Sequence, residues 1–492
     1  MPDPVIVAGA GPTGLMLATE LGLAGVPVVL LERRATVPTW SQTFGFHLSS
    51  QQMFRQRGLD KFDGAGRFPS FDWGFPGLTN AEPEKFPIVF PQRRVEKLLA
   101  DRVAELGVLT RRGHEVVGVE ADAEGVTVTV NGPDGEYSVR GSYLVGCDGG
   151  RSVVRKAVGI GFPGTEATLS GRTGDVEILN EEYRNGIGSP FFPTGLAATV
   201  QNPDDPSLSR ATVVEFTAER PPDEVPITVE EFVAAFERVS GITLKVANSP
   251  WLTRFGDATR LAERYREGRV FLAGDSAHIH FASAGQGLNT GIQDAVNLGW
   301  KLASVLRGWA GDELLDTYQQ ERLPIGREVT VYPQVQMSLL HPADKAGPLR
   351  EFIAALTQFE EVRRYLIDRA TGTGIRYPMV YDGDPAPEHP LLGLRVPDLP
   401  LVTEDGPTSL AVLLQSGHGL LVLTGDGTAA EVAAPWRDRL TLVRATSIEG
   451  FEDGALLVRP DGYVAYAGSG ADDVLPAALL TWFGQPAAGR AV

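Results

Sequence analysis

Three short stretches hold the residues whose types and spacing could do chemistry. The first is Gly274-Asp275, which follows the apolar run Val270-Phe271-Leu272-Ala273. After it comes a small-residue loop that enters a helical pattern near Gly285, Gly287, Leu288 and Asn289. A carboxylate at a strand end repels phosphate but accepts hydrogen bonds from sugar or ribityl hydroxyls. A helix start turns its N–H groups toward an acceptor-rich ring or an anion. The second stretch is Gly146-Cys147-Asp148-Gly149-Gly150-Arg151-Ser152, another acid in a Gly-rich turn between a strand and a helix start. The third is Gly9-Ala10-Gly11-Pro12-Thr13-Gly14, with Glu32 lying 21 positions beyond Gly11. Gly9 suits a tight turn, Gly11 lets backbone approach a pyrophosphate, and Gly14 allows close helix–strand packing. An acid at that distance meets a ribose hydroxyl. Arg33-Arg34 admits a second reading, a 2′-phosphate site for NADPH, which Glu32 would oppose by repulsion. An isoalloxazine ring on a ribityl chain fits both features of the first stretch, and the third reads as a dinucleotide fold.

The elements that must position these residues follow from periodicity. The first glycine turn needs a strand at 5–8, a helix with Leu15, Ala18, Leu21 and Leu23 inward, and a strand at 28–31 ending on Glu32. The Asp275 loop needs the helix whose small or apolar positions are Ile292, Ala295, Val296, Gly299, Leu302, Ala303 and Leu306. Gln92 stands just before a helix expected at 95–106, within reach of a bound cofactor. A short helix is expected at 49–57. Residues 113–145 alternate around Gly132-Pro133-Asp134-Gly135 and read as an antiparallel ribbon. Residues 176–268 read as a sheet with a helix at 228–240, suited to covering a ring system. Helix continues over 314–327, Pro385-Ala386-Pro387 marks a linker, and the tail carries strands at 410–414, 419–423, 440–443 and 455–458 with a closing helix.

Composition narrows the class. A chain of 492 residues is too long for one core and should hold two or three domains. The net charge of −18 argues against nucleic acid or an anionic membrane as partner. A single cysteine, Cys147, rules out an internal disulfide framework and a cysteine zinc site; with no base beside it, it reads as packing. No apolar run approaches the roughly 18 residues that span a bilayer, and the chain enters its first strand directly, so a cytoplasmic location is expected. His47 reads as a structural hydrogen-bonder. His278 and His280 flank Ile279 with no third ligand evident, so no metal is expected.

The islands GAGPTG with Glu32, GCDGGRS, and GDSAHIH followed by GQGLN resemble, in order and spacing, those of class A flavoprotein aromatic monooxygenases. The chain looks like the branch of aromatic polyketide hydroxylases and rifampicin monooxygenase-like enzymes. The likeness runs through WLTRFGDATRLAERYREGRVFLAGDSAHIH, LNTGIQDAVNLGWKLA, LLDTYQQERLP, FEEVRRYLI and ALLVRPDGYVAYAG. It implies an α/β fold: a Rossmann-type (GR2-like) FAD-binding domain, a β-sheet substrate domain and a C-terminal thioredoxin-like domain. The FAD-binding domain would take residues 1–175, with an inserted ribbon and part of the substrate cover at 70–90, and then 269–385 with long helices. The substrate domain would take 176–268 and the thioredoxin-like domain 386–492, the latter without cysteine and so without dithiol chemistry.

The resemblance also implies roles. Gly9, Gly11, Pro12, Thr13 and Gly14 would hold the FAD pyrophosphate, and Glu32 with Arg33 the adenosine end. Asp275 would hold the ribityl or pyrophosphate region, Asp148 the turn facing FAD and NADPH, and Gln92 would lie near the flavin chain. Gly285, Gly287, Leu288 and Asn289 would present a helix N-terminus to the flavin pyrimidine, favouring its anionic form. NADPH would reduce FAD, O₂ would add as a C4a-hydroperoxide, and a polycyclic aromatic polyketide would be hydroxylated in antibiotic biosynthesis. The cofactor carries that chemistry, so no catalytic side chain is required. A homodimer is left open.

The sequence departs from the family pattern at two places. The usual Ser-Arg is Ser41-Gln42, which removes a fixed cation. In His280-Phe281-Ala282-Ser283-Ala284-Gly285-Gln286-Gly287, Ala282 replaces proline and Ala284 replaces glycine. Two alternatives therefore stand beside hydroxylation. One is a flavoenzyme of altered chemistry (Baeyer–Villiger oxygenation, oxidase or dehydrogenase); the other is a non-catalytic flavin-binding partner.

Overall fold

The computed structural model describes residues 3–62, 65–68, 75–78, 83–187, 190–216, 225–281, 285–381, 383–424, 428–448, 451 and 454–487. Ala282 and Ala284, and much of the substrate cover expected at 70–90, lie outside these residues.

A six-stranded sheet organises the first body. Its order is Arg266–Glu267, Val270–Leu272, Tyr143–Gly146, Val5–Ala8, Val28–Glu32, Leu109–Arg112, parallel except at the first edge. The inner strands are mostly Val, Leu, Ile and Phe and are buried up to Glu32 at the end of Val28–Glu32, as a parallel sheet covered on both faces requires. The three strands that precede the glycine-bearing islands, Val5–Ala8, Tyr143–Gly146 and Val270–Leu272, are neighbours. Their C-terminal ends therefore open on one side of the sheet, where ligands bind in folds of this kind.

Helix Pro12–Leu23 packs against helix Gln286–Leu306 on one face of that sheet. The second helix is buried almost all round from Gln286 to Ala303. The helix expected at 95–106 runs Gln92–Glu105, taking Gln92 as its first residue after Pro91. The ribbon is a three-stranded antiparallel sheet, Glu115–Ala121, Val126–Gly132 and Gly135–Gly141.

The middle sheet is antiparallel, in the order Phe191–Phe192, Gly195–Gln201, Ser209–Glu215, Ser170–Val176, Trp251–Phe255. Its strand Ser170–Val176 starts before residue 176, because it is paired along its length with Ser209–Glu215. Helix Val229–Ser240 is capped by Thr228, whose hydroxyl accepts from the Glu231 N–H at 3.2 Å. It buries Phe232, Ala235 and Phe236 against one face of the sheet.

The C-terminal body has Leu440–Ile448 parallel to Gly419–Leu423, Ala455–Val458 antiparallel to Gly419–Leu423, and Val464–Gly468 antiparallel in turn to Ala455–Val458. Helices Thr428–Ala433 and Val474–Phe483 complete a thioredoxin-like βαβ–ββα core. The strand expected at 410–414 is instead a short helix, Leu410–Leu413. Ser409 caps it by accepting from the Val412 N–H, and that turn buries Leu410 and Ala411, which a strand would have split between two faces. Among the described residues no helix is long and apolar enough to cross a membrane, and no cluster of His, Cys, Asp and Glu could hold a metal.

Candidate functional site

A cleft of about 520 Å³ opens where the three strand ends meet the start of helix Gln286–Leu306. Gly9, with φ +105°, turns the chain so tightly that a Cβ there would sit 2.4 Å from the Cys147 carbonyl oxygen. Gly14 is closed in the same way, since a Cβ would fall 1.9 Å from the Gly9 oxygen. Gly11 differs: a Cβ would meet nothing within 4 Å. It borders the cleft, so its bare backbone is room kept for a ligand and not for protein packing. Pro12 and Thr13 line the same wall. The Thr13 hydroxyl lies 2.6 Å from where a Cβ on Gly274 would be, and 2.3 Å from one on Gly291, so the first helix, the Asp275 turn and the Gln286–Leu306 helix close on one another there.

The carboxylates divide by role. Glu32 is oriented by the N–H groups of Ala10 and Arg34, each donating at 2.8 Å, at the end of the cleft lined by Arg33, Arg34, Trp40 and His114. Asp148 accepts from the Val153 and Val154 N–H groups through Oδ2, at 2.7 and 3.1 Å, which caps the helix Val153–Ala157. Its Oδ1 is buried and has no protein partner, an acceptor left for a ligand donor. Asp275 is open to the cleft but crowded by protein on its other sides, and that desolvation raises its carboxyl above the ordinary range.

His280 completes this corner. A Cβ on Gly287 would lie 3.8 Å from both the Asp275 carboxylate and the His280 Nε2. The His280 Nδ1–H donates to the Phe281 carbonyl at 2.8 Å, and burial pushes the ring down to about 4. The ring is thus neutral at pH 7 and presents Nε2 as an acceptor. Sequence spacing offered no sign of this role. Gly285, Gln286, Gly287 and Leu288 line the cleft at the helix N-terminus, and Gly285 gives it no side-chain cap. A 21-residue helix aims its partial positive charge there.

Asn289 is not at the cleft. It is 2% exposed, its Oδ1 accepts from the His47 N–H at 2.9 Å, and its amide donates to Gly45 and Gly285 carbonyls. Its side chain fixes the strand Gly45–Phe46 to the helix start, so only the backbone near it can face a ligand. His47 is buried there. Gln92 lines the cleft and donates to Glu96 at 2.7 Å, and burial raises the Glu96 carboxyl.

Gln42 borders the cleft, and a second guanidinium holds its loop in place. Arg210, on the middle sheet, donates to the Ser41 and Gln42 carbonyls at 2.6 and 3.3 Å and pairs with Asp175 at 3.0 Å. It lies over Phe44 and Trp251, and Trp251 stacks on Trp40 at 4.6 Å. The pairing with Asp175 neutralises Arg210, so it clamps the loop without supplying the charge missing at position 42. It lies 168 positions from Gln42, and no local motif marks it.

A Gly-lined backbone cradle, an acceptor for ribose hydroxyls, an unmatched carboxylate oxygen and an anion-favouring helix start define a flavin dinucleotide site. The chain matches the FAD binding domain family over residues 3–332 and the aromatic-ring hydroxylase C-terminal family over residues 389–486. It is 43% identical over 507 residues to the 12-dehydrotetracycline 5-monooxygenase/anhydrotetracycline 6-monooxygenase of Streptomyces rimosus, covering 98% of this chain and 99% of that protein. It is 38% identical over 496 residues to the dialkyldecalin synthase of Streptomyces rugosporus, covering 99% and 100%. The structure of the anhydrotetracycline hydroxylase OxyS from Streptomyces rimosus aligns with a TM-score of 0.89 at 42% identity, over 99% of this chain and all of that one. The chain belongs to the FAD-dependent aromatic-ring hydroxylases, the class A flavoprotein monooxygenases.

Proposed function

We propose that this protein uses NADPH and O₂ to hydroxylate a polycyclic aromatic polyketide. The observation that carries the reading is the convergence of Gly11, Asp148, Asp275 and the Gln286 helix start on one cleft. Bound there, FAD supplies electron transfer and oxygen activation. Gly11 and Thr13 would receive its pyrophosphate, Glu32 its ribose, and Asp148 and Asp275 its hydroxyl-bearing chain. The helix N-terminus at Gly287-Leu288 stabilises negative charge on the ring edge set against it. Neutral His280 holds no proton at Nε2 and so accepts without adding charge. Arg210 ties the middle sheet to the Ser41-Gln42 loop, whose Gln42 borders the cleft.

Gln42 favours a second reading. A cleft with no cation at that position attracts an anionic nicotinamide cofactor less, and one relative is named a dialkyldecalin synthase rather than an oxygenase. In that reading the flavin is held but not reduced in turnover. Anaerobic mixing of the FAD-loaded protein with NADPH separates the two. Bleaching of the yellow colour, followed in air by one oxygen atom from O₂ in an aromatic product, supports the first. A flavin that stays oxidised with NADPH, with and without a polyketide, overturns it.

A further inference from the structure

A second cavity, of about 270 Å³, lies between the segments 165–169 and 257–259, which flank the middle sheet, and helix Glu313–Ser338. Its floor is apolar, made by Leu169, Phe281 and Met337. Its rim carries the hydroxyl oxygens of Thr168 and Ser338, whose own protons go to Asp257 and to the Gln334 carbonyl, and the ring of His341. It meets the cofactor cleft at two consecutive residues: His280 lines the cleft and Phe281 lines the cavity. Their Cα atoms are about 3.8 Å apart, the length of one trans peptide step. The cleft and the cavity therefore share this stretch of backbone as a wall, one on each side of it.

The walls state what they will take. The Nδ1 of His341 is buried without a protein partner, and its ring is held 4.9 Å from that of Phe216. A buried nitrogen without a partner costs free energy that a ligand group can recover. Glu166 and Asp257 put two carboxylates on the cavity, and among the described residues no lysine or arginine lines it. Glu166 pairs with Arg260, whereas Asp257 accepts from neutral donors, the Thr168 N–H and hydroxyl, each at 2.6 Å, and the Leu169 N–H at 3.0 Å.

We propose that this cavity is an outer subsite for the far ring of the polycyclic substrate, selecting neutral or cationic substituents there and rejecting carboxylates. This rests on the reading of the protein as an aromatic hydroxylase, but binding tests it without turnover. The probes are three dihydroxyanthraquinones whose far ring bears an aminomethyl group, a hydroxymethyl group or a carboxylate, and a two-ring hydroxynaphthoquinone too short to cross the wall. Each is titrated into the FAD-loaded protein, and Kd is read from flavin and tryptophan fluorescence.

The aminomethyl and hydroxymethyl probes should bind about ten-fold tighter than the carboxylate, the scale of a modest pocket contact. Met337→Trp should fill the floor and weaken those two by a similar factor, leaving the naphthoquinone and the FAD content unchanged. Ser338→Arg, on the exposed end of the helix, should move the preference toward the carboxylate. Equal affinities of the native protein for all three probes, or an unchanged order in a folded, FAD-loaded Ser338→Arg, would overturn the subsite. If the expected binding pattern appears but NADPH leaves the flavin oxidised, the subsite stands and the hydroxylase reading fails.

Discussion

Glu321 and Arg322 are consecutive residues of one helix, and both reach helix Gln286–Leu306, Glu321 at Lys301 and Arg322 at Asp294. Glu321 accepts from Lys301 at 2.7 Å and from Arg459 of the C-terminal body at 3.1 Å. Burial alone would raise its carboxyl, but Arg459 and Lys301 hold it down to about 2. Arg322 donates to Asp294 Oδ1 at 2.7 Å and to the Tyr377 hydroxyl at 3.0 Å. The other oxygen of Asp294 bonds His278 at 2.8 Å and the Gly274 N–H at 3.0 Å, in the turn that carries Asp275. Tyr377 stacks on Tyr463 at 4.2 Å. The thioredoxin-like body is thus tied to the cofactor turn through buried charge.

Removing Arg322 should expose that link. Arg322→Met leaves Asp294 buried without its cation, a loss of about 3–5 kcal/mol where buried pairs have been broken. The melting temperature should fall, and FAD should dissociate more readily than from Arg459→Met, which loosens the C-terminal body without touching Asp294. Calorimetry gives the first quantity and fluorescence of released FAD the second. Equal FAD affinity in the two folded variants would show that Asp294 does not govern the turn.

What could be read in the sequence was what local geometry encodes. Gly9, Gly11 and Gly14 declare a turn, an opening and a packing contact because each follows from the absence of a Cβ at a fixed step in a strand–helix unit. Asp148 and Asp275 sit at strand ends for the same reason. The buried charges were not legible. Asp294 and Lys301 occupy positions that alternate with apolar ones, as on any half-exposed helix, and their burial depends on Arg322, Glu321 and Arg459, up to 158 positions away. Asn289 looked like a ligand because it follows Gly287, and only the strand Gly45–Phe46, more than 240 positions upstream, shows where its amide goes.

His280 gives a pH dependence with a definite sign. The folded ring takes a proton only near 4, against an ordinary 6.5, so the unfolded chain binds that proton first. Stability contributed by the neutral ring is complete above 6.5 and is lost as the pH falls toward 4. His280→Asn should flatten the melting temperature of the FAD-free protein across that window and leave it little changed at pH 7.5. Parallel curves for the two proteins would remove His280 from the account.

Position 42 bears on the reductant. The loop is held by Arg210 through backbone carbonyls, so a longer side chain at 42 can reach into the cleft without disturbing the clamp. Gln42→Arg adds a cation where an anionic cofactor must approach, and a hydrogen bond to a charged group is worth about 1.5–3 kcal/mol. Reduction by NADPH, followed by stopped-flow absorbance without oxygen, should speed up by about ten-fold, since each 1.4 kcal/mol is one factor of ten. An unchanged rate would mean that the cation at this position plays no part in reduction of the flavin.

Gly11 and Gly14 separate ligand space from folding space within one turn. Gly14→Ala drives a methyl to 1.9 Å from the Gly9 carbonyl, so the strand and helix must part and the FAD-free protein should lose several degrees of melting temperature. Gly11→Ala meets no atom within 4 Å, and its φ of −76° suits alanine, so the FAD-free protein should melt within a degree or so of the native one. FAD should feel the opposite order. In the proposed reading the added methyl stands where the pyrophosphate would touch backbone, and Kd for FAD should rise by about ten- to a hundred-fold, the scale of steric exclusion by one carbon in a fitted site. A Gly11→Ala protein that is unstable without FAD, or that binds FAD as tightly as the native chain, would show that the space at Gly11 is not the cofactor's.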